Sequence, residues 1–202
     1  MSALPIHALF ALLLAATCGV AVSAVPADPL QDAQRLFKQG QLQQALDNTD
    51  QIITGKPGDA QARFLKGLIL TEMNRHDEAI AVFSRLNEDY PEFPEPYNNL
   101  AVIYAQTHQY EKAKAALEMA IRTHPGFATA YENLGDIYAR LAGQAYDKAL
   151  QLDASSVAAK RKLAMARELI AGTGSAEPAK AATTTAKPAP GAAPATAPGM
   201  KQ

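Results

Sequence analysis

Pro94 to Phe127 reads PEPYNNLAVIYAQTHQYEKAKAALEMAIRTHPGF, and its key residues recur along the chain at one spacing. Ala101 has counterparts at Ala33, Gly67 and Gly135, each 34 residues from the next. Tyr104 has counterparts at Leu36, Leu70 and Tyr138, Ala113 at Ala45 and Ala79, and Pro125 at Pro57 and Pro91. Four ladders with a common period of 34 identify a helix-turn-helix repeat. When repeats are counted from residues 26, 60, 94 and 128, positions 4, 7, 8 and 11 fall at helical spacing and make one face of a first helix, A. Positions 20, 24 and 27 do the same on a second helix, B. Small residues at 8 and 20 stand where the two helices come close. Proline at position 32 cannot continue helix B and ends it.

The pattern Tyr97-x-x-Leu100-Ala101-x-x-Tyr104, then Ala113-x-x-x-Leu117-x-x-Ala120, then Pro125, resembles the tetratricopeptide repeat. The fourth repeat opens in the same way with Tyr131-x-x-Leu134-Gly135-x-x-Tyr138. The second keeps Gly67, Leu70, Ala79, Phe83 and Pro91, but Arg63 stands in the aromatic place. The first keeps Ala33, Leu36, Gly40, Ala45, Ile52 and Pro57 and also lacks the aromatic. The resemblance covers roughly residues 28 to 170. It implies an all-α, right-handed α-α superhelix of four repeats, at about 26–59, 60–93, 94–127 and 128–156, closed by a C-terminal capping helix over 157–171.

The fourth repeat is short. Ala120 to Ala149 spans 29 residues where the period asks for 34, and the loss falls after Gly143, at the start of helix B. What remains of that helix is Ala145 to Leu152. Asp153 to Ser156 then fills a turn, and Val157 to Ala171 follows as the cap, with Lys160, Arg161, Lys162 and Arg167 on its outer side. A repeat stack has to end in such a polar face. Ser155 or Ser156 is the expected N-cap and Gly172 the expected stop. Gly135 belongs to the close-contact ladder, so Gly135→Leu is expected to unfold this repeat.

Residues 1–24 read as a signal peptide. No Asp, Glu, Lys or Arg precedes Asp28, Ala8 to Val22 is an apolar run, and Val22-Ser23-Ala24 is a small-residue cleavage site. The alternatives are an uncleaved membrane anchor, or a lipoprotein acylated at Cys18, the single cysteine. Composition and signal point to an exported bacterial protein, periplasmic if the segment is cleaved. Residues 172–202 are rich in Ala, Pro and Thr, with no aromatic, Leu, Ile or Val, and are expected to be disordered. The net charge is −1, from 19 basic and 20 acidic residues, with no basic stripe for nucleic acid.

No site of chemistry emerges. His76, His108 and His124 fall in turns, no metal-ligand or nucleophile motif occurs, and no cofactor or metal is expected. Glu132 and Asp136 lie one turn apart with Arg140 a further turn on, a spacing that reads as an Asp–Arg pair on a helix face rather than an acid–base couple. The chain is not expected to be an enzyme.

In the resembled family, helix A positions 2, 5, 9, 12 and 13 line a concave face that holds partner segments. Carried over, the first repeat supplies Leu30, Gln34, Phe37 and Lys38, and the second supplies Phe64, Leu68, Thr71 and Glu72. Glu95, Asn98, Val102, Ala105 and Gln106 come from the third, and Glu132, Asp136, Ala139 and Arg140 from the fourth. Phe64, Leu68 and Val102 are expected to form an apolar strip, unless Phe64 turns inward because Arg63 holds the aromatic slot. The family's chaperone-binding members clamp a C-terminal carboxylate, and of the places required only Asn99 matches here. The resemblance therefore implies a non-catalytic scaffold or adaptor for a protein or peptide of the cell envelope. A self-associating structural component, using an apolar edge left by the short repeat, is the other reading.

Overall fold

The computed structural model describes residues 28–174, and its elements begin and end where the repeat punctuation demands. Helix α1 (Pro29–Lys38) starts behind Asp28, whose carboxylate accepts from the Leu30 amide at 3.1 Å, with Pro29 in the first turn where its missing N–H costs nothing. Helix α3 (Ala60–Glu72) starts behind Asp59, which accepts from the Ala62 amide at 2.9 Å. Helix α5 (Pro94–Gln106) begins on a proline. Helices α2 (Leu42–Gly55), α4 (His76–Asp89) and α6 (Tyr110–Thr123) each stop two residues before Pro57, Pro91 and Pro125. A residue preceding proline is driven out of helical backbone, which sets these ends.

Each A–B turn carries one left-handed residue at repeat position 15: Gly40 (φ 72°), Asn74 (φ 57°) and His108 (φ 59°). That conformation reverses the chain after helix A. The fourth repeat has Ala142 in this place. Alanine loses roughly 1–2 kcal/mol in left-handed backbone and is the best helix former. With the five residues that open helix B deleted as well, the chain does not reverse. Helix α7 (Ala128–Leu152) runs unbroken for 25 residues. The separate helix B expected over 145–152 is the end of α7.

The reversal comes instead at Asp153 to Ser156. Asp153 accepts from the Ser155 amide at 2.9 Å, and Ser156 caps the next helix by accepting from the Ala159 amide at 3.3 Å. Helix α8 (Val157–Gly174) packs Ala159, Leu163 and Ala166 against α7 and runs two residues past Gly172. The described residues thus hold eight helices and no strand, an all-α stack of three complete hairpins and a fourth of unusual form.

Small residues at the close approaches are buried as the ladders require, with Ala33, Ala45, Ala79, Ala101 and Ala113 all in the core. At Gly67 the Phe83 ring lies where a Cβ would stand. Gly135 departs from the ladder. It is exposed and nothing lies within 4 Å of a Cβ built there, because no helix B covers it. The expectation that Gly135→Leu overpacks a helix contact is therefore wrong.

Candidate partner-binding face

The odd-numbered helices touch in succession, α1 on α3, α3 on α5 and α5 on α7, whereas α2, α4 and α6 do not touch one another. The closer spacing identifies α1, α3, α5 and α7 as the inner layer of a curved stack. Its surface holds the residues expected to line a groove.

Their exposure divides them. Lys38, Glu72, Gln106 and Glu132 are exposed, and Phe37, Asp136 and Arg140 are half-buried. Phe64, Leu68, Asn98 and Val102 are buried. The apolar strip is thus core rather than open groove. Arg63 explains the inward turn of Phe64. Its guanidinium pairs with Asp89 of α4 at 2.7 Å and so occupies the aromatic place. Phe64, the next residue, supplies the missing ring inside, tilted against Phe83 at 5.7 Å and Phe93 at 5.4 Å between centroids. An adjacent-residue exchange of this kind keeps the packing while changing which side chain supplies it.

A polar cluster sits between α5 and α7. Asn133 Nδ2 donates to Asn98 Oδ1 at 2.7 Å, and Asn99 Nδ2 donates to the Glu95 carbonyl at 2.8 Å. Asn98 Nδ2 and Glu95 Oε2 are buried without a hydrogen-bond partner. Burial pushes the Glu95 carboxyl above the usual range, opposed by its own backbone N–H and by the His124 charge. Buried polar groups left unpaired cost about 1–3 kcal/mol each, so such a pair one turn apart calls for a reason. Farther along, burial also raises the Asp136 carboxyl, with Arg140 acting against it and Glu132 with it. Asn133 lies outside the helix A positions assigned to the groove. Its one signal is a place beside the inner-face position on α7.

Among the described residues no group of three or more His, Cys, Asp or Glu could hold a metal ion, and no helix is long and apolar enough to cross a membrane. The expected signal peptide, Cys18 and the tail beyond residue 174 lie outside the described residues.

The family model described as "Psidin, N-terminal TPR repeats region" matches residues 31–155, more than half of the chain. No curated protein matches the chain by sequence. Similar solved structures include the first TPR domain of the human RPAP3 protein, at 17% identity and TM-score 0.54, covering 56% of this chain and 90% of that one. The first TPR of Spaghetti (RPAP3) bound to HSP90 peptide SRMEEVD is alike at 17% identity and TM-score 0.53, with the same coverage of 56% and 90%. MamA 41-end from Desulfovibrio magneticus RS-1 is alike at 21% identity and TM-score 0.51, covering 72% of this chain and 77% of that one. At these identities the likeness is one of fold.

Proposed function

The chain belongs to the tetratricopeptide repeat family, whose domains mediate protein–protein interaction, and from that premise we propose that it is a non-catalytic adaptor holding a segment of a bacterial cell-envelope protein on its inner face. The single observation that carries the site is the Glu95–Asn98–Asn133 cluster. A free carboxamide N–H and a free carboxylate oxygen one turn apart match the carbonyl and N–H of a peptide backbone. Both atoms are buried, so a bound segment reaches them only when side chains of the inner face move aside. The neighbouring acids Glu132 and Asp136 favour a basic side chain on that segment. A TPR domain of the same fold is bound to a peptide, which supports this class of ligand. With Asn99 alone matching the carboxylate clamp, the ligand is an internal segment rather than a chain end. The apolar run over 8–22 and the Val22-Ser23-Ala24 site support export.

The test separates binding from folding. Peptides selected on the protein from a random library are measured against wild type and against Asn98→Leu with Asn133→Leu. Replacing both partners of a buried hydrogen bond by apolar groups of similar shape leaves stability within about 1 kcal/mol. Affinity should fall roughly tenfold or more, since each lost bond contributes about 0.5–1.5 kcal/mol and the polar grip is removed whole. Unchanged affinity in the folded double variant contradicts the site.

A further inference from the structure

Among the described residues, every large apolar side chain left exposed lies on the last two helices: Tyr131, Tyr138, Leu152, Val157, Met165 and Leu169. The unbroken α7 is the cause. Helix α8 packs along its second half, where Arg167 pairs with Asp147 at 3.1 Å and Lys162 lies over Tyr146. The place that helix B occupies in the other repeats is empty beside the first half. Tyr131 and Tyr138 are consequently 51% and 49% exposed, and Gly135 between them is bare.

This open face has a regular order. Tyr131, Gly135, Tyr138, Ala142, Ala145 and Ala149 follow at alternating spacings of four and three residues, the spacing of a coiled-coil seam, along most of a 25-residue helix. The large side chains are all at one end and the small ones at the other. None of the six is fully buried.

We propose that the seam joins two copies of the chain, α7 against α7, in antiparallel register. A two-fold axis at the level of Arg140 sets Tyr131 opposite Ala149, Gly135 opposite Ala145, and Tyr138 opposite Ala142 of the second copy. Each tyrosine meets an alanine, and Gly135 lets the helix axes approach between them, so the layers interdigitate. Parallel pairing would set tyrosine on tyrosine and leave a gap between alanines. Charge selects the same arrangement. Glu132 flanks the tyrosine end of the seam. The Lys162 ammonium, 5.8 Å from the Tyr146 ring centroid, flanks the alanine end. Antiparallel pairing brings the acid of one copy to the base of the other, twice by symmetry, as a self-complementary surface must. The seam shares only the flanking Glu132 with the inner face, so Tyr138→Lys and the disulfide between Gly135→Cys and Ala145→Cys test the dimer alone and either reading can fail without the other.

Sedimentation of the full chain over a wide concentration range tests this. Wild type reaches a dimer. Tyr138→Lys, a change at an exposed position, weakens the dimer roughly tenfold or more with helicity unchanged. Glu132→Lys weakens it, and Glu132→Lys combined with Lys162→Glu restores it. In a Cys18→Ser background, chains carrying Gly135→Cys form a disulfide with chains carrying Ala145→Cys and not with themselves. A monomer at every concentration, a dimer indifferent to Tyr138→Lys, a charge swap that fails to restore it, or Gly135→Cys bridging to itself would each overturn the proposal.

Discussion

Gly67 and Gly135 hold the same place in their repeats, yet a methyl group at each meets a different environment. At Gly67 it runs into the ring of Phe83, which is fully buried and wedged against Phe64, so the ring cannot swing aside. Gly67→Ala should cost about 1–3 kcal/mol by overpacking, read as a lower denaturant midpoint with an unchanged slope. An unchanged midpoint would mean that Phe83 yields freely. Glu95 gives a second residue-scale test. Its carboxyl is raised by burial, so the folded state holds the proton more tightly than the unfolded chain. The resulting stability is full below the ordinary glutamate range and is lost as pH rises through the raised value. Glu95→Gln should therefore match wild type in acid and melt higher at neutral pH. Equal melting temperatures at both pH values contradict a buried, charge-averse carboxyl. Residues of this kind limit what the sequence discloses. The ladder offers the exchange between Arg63 and Phe64 as an alternative, but what decides it is Asp89 in another helix, which no local pattern reveals.

At the scale of elements, the two helices of each of the first three repeats were legible in kind and order, although His76, read as a turn residue, is the first residue of α4. Proline, Asp caps and left-handed turn residues act locally, and local punctuation is what a sequence displays. The fourth repeat was legible as a deletion but not in its outcome. Whether the chain turns or continues after residue 140 is a balance between a turn leading into a helix B that lacks its first five residues and a run, Ala139 to Leu152, made mostly of helix formers. Gly143 is the one weak point in that run, and nothing lies within 4 Å of a Cβ built there. Gly143→Ala should stabilise the protein by about 0.5–1 kcal/mol, measured by thermal or chemical unfolding. A loss of stability would show that Gly143 bends or unwinds the helix in solution, and that α7 is two helices after all.

Over the whole molecule, each hairpin touches only its neighbours along the stack. Stability in such an array is close to a sum of local and nearest-neighbour contributions. Leu117, fully buried on α6, should cost about 2–5 kcal/mol when cut to alanine. Hydrogen exchange should then show α5, α6 and α7 losing protection while α1 and α2 keep most of theirs. Uniform loss would mean a single cooperative unit. The same modular logic explains why the fold was readable and the site only in part. The curvature follows from repeated spacing, but the inner surface is set by which side chains the neighbouring helices leave uncovered.

The central claim is that the inner layer, and no other face, receives a partner segment. Backbone amide shifts of the isotope-labelled protein, recorded as a library-selected peptide is added, test it most directly. The account predicts perturbations clustered on α5 and α7 around Asn98, Gln106, Asn133 and Asp136, fading toward α1. Perturbations confined to α2, α4 and α6, or to the α7 seam, would contradict it.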